Sequence, residues 1–183
     1  MTMTRVIPPE AEGTISTTPD GRAVLRFERH LRHSVDRVWA AVSQPAEMEA
    51  WLAFKARLEP EVGGRLSLSL GDSRSDSPVS DGEVTVFEPP HVLEAQMADG
   101  SVLRFEVSAT DDGSMLVFTD TRPVGERARN SVLAGWHLRM DYLGPALDGD
   151  AAAWLEIDSQ RDEHGYVAEI AEIYWHYRTK PRD

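Results

Sequence analysis

Residues 38–65 read VWAAVSQPAEMEAWLAFKARLEPEVGGR, and this stretch decides the fold. Val35, Val38, Trp39 and Val42 fall at helical spacing. Ser34 stands just before them, where its hydroxyl can cap the helix, and Asp36 sits in the first turn near the positive dipole end. Pro45 opens a second short helix, where its missing N–H costs nothing, and the pattern carries that helix to about Leu52. Phe54, Ala56 and Leu58 then alternate as strand residues do, and Gly63-Gly64 reads as a tight turn needing positive φ. A helix–helix corner followed by a glycine turn into strands is the hinge of a sheet wrapped around a helix.

The flanks agree. Upstream, residues 22–32 alternate as a half-buried strand, with Ala23, Leu25, Phe27 and Leu31 on one face. Arg29 shares that apolar face, so it either snorkels at the strand end or points inward. Residues 1–21 read as a disordered lead-in. Downstream, Leu66, Leu68 and Leu70 alternate, and a polar, serine-rich loop is expected from Gly71 to Gly82. Strands follow at Glu83–Glu88, which Pro89-Pro90 stops, and at Val92–Met97. Asp99-Gly100 and Asp112-Gly113 are hairpin signals around the Leu103, Phe105, Val107 strand. Leu116, Phe118 and Asp120 share one parity on the strand after that. Residues 126–147 form a long helix whose stripe is Val132, Trp136, Met140, Leu143 and Leu147, with Pro145 expected to disturb its last turn.

The expected organisation is therefore a lead-in at 1–21, a domain at 22–148 and a C-terminal extension at 149–183. In that extension Tyr166, Ile170, Ile173, Tyr174 and Tyr177 make a short amphipathic helix. So short a helix is marginal alone, so its stripe needs a surface: the sheet, the long helix or a second copy of the chain. The tyrosines favour the second copy, hence a possible homodimer through the C-terminal extension.

With a net charge of −12, spread along the chain and without a Lys/Arg block, the protein is not expected to bind nucleic acid or an anionic membrane. There is no cysteine, so there is no disulfide or thiolate chemistry, and no apolar run is long enough to span a bilayer. The expectation is a cytoplasmic protein.

Taken in order, Val38-Trp39, Met48…Trp51 after Pro45, Val62-Gly63-Gly64, Gly82-Glu83-Val84…Glu88-Pro89-Pro90…Leu93 and Gly135-Trp136…Leu143 resemble the SRPBCC superfamily, also called START-like or Bet v 1-like. Within it, the set is similar to the branch of the Hsp90 ATPase activator C-terminal domain. The resemblance implies an α+β helix-grip fold: a curved antiparallel sheet around a long C-terminal helix, with two short helices after the first strand. It also implies a hydrophobic ligand cavity between sheet and helix.

By parity and helical stripe, the candidate cavity residues are Phe27, Phe54, Leu68, Leu70, Leu93, Met97, Phe105 and Phe118 from the strands, with Trp51, Trp136 and Met140 from the helices. Any one of them is most simply a core residue; the set suits a cavity. Arg29 and Asp120 are the polar members. They could pair, orient a ligand's polar end, or sit at strand ends and reach water. His137 reads as a surface histidine, and no histidine spacing suits a metal. No catalytic residue and no cofactor is expected, since no nucleophile, phosphate-loop or dinucleotide motif is present.

The expected function is binding of a small hydrophobic or amphipathic molecule, such as a lipid, polyketide or aromatic metabolite. An enzyme of the cyclase, dehydratase or hydrolase kind using the same cavity is the alternative, with Asp120 and Arg29 as its ionisable groups. A chaperone-linked module similar to the Hsp90 activator is the third reading.

Overall fold

The computed structural model describes residues 7–70, 79–150 and 168–180. The fold is α+β and matches the helix-grip expectation. Its strands are β1 (Thr14–Thr17), β2 (Ala23–Leu31), β3 (Lys55–Leu58), β4 (Arg65–Ser69), β5 (Val79–Glu88), β6 (Val92–Met97), β7 (Val102–Thr110) and β8 (Gly113–Arg122). The helices are α1 (Val35–Ser43), α2 (Pro45–Met48), α3 (Glu126–Leu147) and α4 (Ala168–Thr179). The strands form one sheet in the order β1-β2-β8-β7-β6-β5-β4-β3, every neighbour antiparallel. Because β8 returns beside β2, α1 and α2 must bridge from beside one edge of the sheet to the opposite edge at β3.

Local chemistry places the corner. Ser34 accepts a hydrogen bond from the Arg37 N–H at 3.2 Å and caps α1. Pro45 occupies the first turn of α2, which ends at Met48 rather than near Leu52. The N–H groups of Leu52 and Ala53 both turn back to the Met48 carbonyl, so the chain leaves the helix and enters β3. Gly63 has φ +86°, the left-handed turn that its sequence suggests.

The inner face of the sheet is built in rungs. Phe27, Phe118, Phe105 and Leu93 stand side by side on β2, β8, β7 and β6, and all four are buried. On one side of this rung lie Leu25, Asp120, Leu103 and Ala95; on the other lie Arg29, Leu116 and Val107. The core closes when Trp136, Met140, Leu143 and Leu147 of α3 settle against these rungs.

Several expectations are corrected. Residues 14–17, read as disordered lead-in, form β1 and pair with residues 23–26 of β2, and Ile7 is buried. Threonine and isoleucine suit an edge strand, and the exposed pattern of β1 hides it from a search for apolar alternation. Residues 79–82, read as loop, begin β5, while 71–78 of that loop lie outside the described residues. The long helix, by contrast, has the expected bounds: α3 runs from Glu126 to Leu147 with Pro145 inside its last turn. Among the described residues no helix is long and apolar enough to cross a membrane.

Candidate functional site

Four of the aromatic residues expected to line a cavity, Phe27, Phe105, Phe118 and Trp136, come together. The Phe118 ring lies 4.8 Å from Phe105 and 4.6 Å from Trp136, centroid to centroid, and Phe27 stacks on Phe118 at 6.5 Å. Trp51, Leu68, Leu93, Met97 and Met140 are also buried, while Arg29, Phe54 and Leu70 are half-buried. Trp51 belongs to the corner: its indole N–H donates to the Ala41 carbonyl at 3.0 Å and ties the turn after α2 to α1.

Asp120 is the polar centre of this cluster and is fully buried. Its Oδ2 accepts from the Trp136 indole N–H at 2.6 Å and from Arg122 Nε at 2.7 Å. Its Oδ1 is buried and has no hydrogen-bond partner. Burial pushes the carboxyl above the usual carboxylate range, opposed by the Arg122 charge and by both hydrogen bonds. Arg122 follows Asp120 by two residues and shares its parity. The sequence reading stopped at Asp120 and missed it.

A cleft of about 160 Å³ opens beside this carboxyl, walled by Leu70, Arg122, Val132, Gly135, Trp136 and Arg139. It lies between the end of β4, the end of β8 and α3. Arg139 holds its rim, donating to the carbonyls of Leu52 at 3.0 Å, Gly135 at 2.9 Å and Leu70, with its guanidinium 5.6 Å over the Trp136 ring. Val132, expected on the buried stripe, lines this cleft and is half-buried. A larger groove of about 880 Å³ lies elsewhere, among Arg57, Arg65, Asp81, Glu83 and Gln96. Of the expected cavity residues it touches Met97 alone.

Arg29 and Asp120 do not pair. The aromatic rung stands between theirs, and successive same-face rungs are roughly 7 Å apart. Arg29 Nη2 instead lies 3.9 Å from Asp141 of α3, and its guanidinium covers the Phe27 ring at 5.4 Å. Burial holds it below the usual arginine value, opposed by the Asp141 charge.

Arg29 and Asp141 belong to a second polar cluster. His137 is buried, not a surface residue; Nε2 is 3.5 Å from Asp141 and Nδ1 is 2.5 Å from the Tyr177 hydroxyl on α4. The same hydroxyl accepts from the Gly13 N–H at 2.7 Å. The Tyr177 hydroxyl thus joins Gly13 to His137, and His137 in turn reaches Asp141. Burial raises the Tyr177 pKa to about 12. Glu12 bonds His176 at 2.8 Å and Lys180, and these partners hold its carboxyl below the usual range. The two ends of the chain thus clasp across α3.

The C-terminal stripe finds its surface within the chain. Ile173 and Tyr177 are buried, and α4 packs on α3. Trp175 is left exposed, and Tyr166 lies outside the described residues.

Solved structures share the fold. A protein from Mesorhizobium loti is 26% identical, with TM-score 0.60 over 69% of this chain and 97% of that one. CalU16 from Micromonospora echinospora is 22% identical, with TM-score 0.65 over 90% of this chain and 88% of that one. A conserved protein of unknown function from Enterococcus faecalis is 15% identical, with TM-score 0.66 over 91% and 88%. No curated protein matches the chain. Residues 32–148, which hold the corner, the rungs from β3 to β8 and α3, match the family described as activator of Hsp90 ATPase homolog 1-like protein, so the chain belongs to that family, a branch of the SRPBCC superfamily.

Proposed function

We propose that this protein binds a small apolar or amphipathic molecule between the sheet and α3, entering through the cleft at Trp136. The observation that carries the reading is the cleft itself, whose wall includes the Trp136 ring that packs on Phe118, the middle of the Phe27–Phe118–Phe105 row. Gly135 contributes to it by absence: a Cβ there would meet nothing closer than Arg139 Nη1 at 3.7 Å, so the helix surface is bare at that point. The volume, about 160 Å³, is close to that of an apolar cavity of about 150 Å³ that holds benzene. It suits one ring, or the end of a longer molecule. Membership of the SRPBCC superfamily supports the same reading, because the fold sets a concave sheet against one helix.

The test follows the Trp136 indole N–H by proton–nitrogen correlation NMR while p-xylene is added to ¹⁵N-labelled full-length protein. The signal is expected to shift and saturate, and Gly135→Leu, which fills the cleft, is expected to abolish the shift. A signal that never moves, or that moves equally in the filled variant, removes the cleft as a binding site.

A further inference from the structure

Beside the cleft, one buried carboxyl oxygen has no partner among the described residues. Asp120 Oδ2 takes two donors, while Oδ1 is buried without a partner. Most buried polar atoms are satisfied, and an orphaned one is costly. Both residues that hold Oδ2, Trp136 and Arg122, stand in the wall of the cleft. Asp120 therefore sits directly behind that wall, and a guest lying against Trp136 is the nearest source of a partner.

We propose that the cleft selects a hydroxylated ring, a phenol or a comparable cyclic alcohol, whose hydroxyl bonds Asp120 Oδ1 while the ring lies against Trp136, Val132 and Leu70. This deepens the binding function proposed above and rests on it. A hydroxyl is the group that answers Asp120 in either protonation state. It donates to Oδ1 of a carboxylate and accepts from Oδ1–H of a carboxylic acid. A carbonyl, which only accepts, or an ammonium group, which only donates, answers only one of these. Arg122 and Arg139 add two guanidinium groups at the rim and, among the described residues, no carboxylate stands in the cleft wall, so a guest with an ammonium group is disfavoured. The remaining wall, an indole face, a leucine, a valine and a bare glycine, matches a flat apolar body rather than a sugar.

The discriminating pair is p-cresol and p-xylene, which differ by a hydroxyl in place of a methyl. Transfer from water penalises the hydroxyl, so a purely apolar cleft binds p-xylene more tightly. A site built to bond the hydroxyl reverses that order. Titrations of the wild-type full chain, followed at the Trp136 indole N–H, are expected to show p-cresol binding at least about fivefold more tightly than p-xylene. In Asp120→Leu the order is expected to invert, with p-xylene the tighter ligand. The wild-type comparison needs no variant, so it decides the matter even if Asp120→Leu does not fold. If wild type prefers p-xylene, or if Asp120→Leu keeps the preference for p-cresol, the hydroxyl assignment is overturned while the binding function stands. If neither compound moves the Trp136 signal, both fall together.

Discussion

Asp120 is where burial and charge conflict most directly in this molecule. The carboxyl keeps two donors on one oxygen and none on the other, inside a rung otherwise made of leucine and alanine. Burial raises its pKa above the usual range. A folded pKa above the unfolded one means the native state holds its proton to higher pH than the unfolded chain. The stability linked to this group is then greatest below the unfolded value, about 4, and is lost as pH rises through the folded one. Asp120→Asn removes that dependence. Urea unfolding across this window should show the variant gaining stability relative to wild type as pH rises, on top of any constant offset. A difference that stays flat would mean that Asp120 titrates in the folded protein as it does in the unfolded chain. The inward placement of Asp120 was legible from the alternation Leu116, Phe118, Asp120. Arg122, two residues on, was within reach of the same alternation, but the Trp136 partner was not, because its hydrogen bond depends on the rotation of α3 against the sheet, which no local pattern encodes.

At the scale of elements, α3 is buried on more than one side, and this is what the sequence concealed. The stripe through Trp136, Met140 and Leu143 faces the rungs as expected. A second face, Asn130, Leu133, Ala134 and His137, is buried as well. Two polar residues interrupt that face, so it does not read as apolar. It is covered by α4 and by the segment around Gly13, where a Cβ would fall 2.4 Å from the Phe27 ring and 2.9 Å from Leu133. Contacts such as Gly13 with Tyr177 join residues 164 positions apart, beyond the reach of any periodicity. The corner, by contrast, was legible because its signals are local: a serine cap, a proline at a helix start and a glycine turn. Tyr177→Phe keeps the ring but deprives Gly13 N–H and His137 Nδ1 of their common partner. Leaving buried groups unpaired costs about 1–3 kcal/mol. Chemical unfolding of the variant should show a loss in that range, and hydrogen exchange should quicken at Gly13. A loss well below 1 kcal/mol would mean that water replaces the hydroxyl and that the clasp is held by Ile173 and the ring alone.

Considered as a whole molecule, the chain divides into a body that the family match spans and a clasp that lies outside that match. The match ends at residue 148, and the Mesorhizobium loti structure is covered almost completely by 69% of this chain. A grip of sheet and α3 therefore forms in a relative of about that extent. Here the two ends of the chain close over the side of α3 that such a body leaves open. Deleting residues 161–183 should then weaken the protein without dismantling it. Full burial of an isoleucine-sized side chain contributes about 1.5–3 kcal/mol, and ordering the helix offsets part of this. With Ile173 and Tyr177 both lost, the expected decrease is about 2–4 kcal/mol, with the sheet signal in far-ultraviolet circular dichroism retained. Hydrogen exchange should quicken first at β1 and around His137, because those are the places that α4 covers or holds. Light scattering on the same two samples tests association. A pair formed through the extension would lose half its mass on truncation. A full-length chain that already runs as a monomer, or a truncated one that remains a dimer, removes the extension as the contact. A truncated chain that loses its sheet altogether would show instead that the clasp is part of the folding unit, and that the shared body does not stand alone in this sequence.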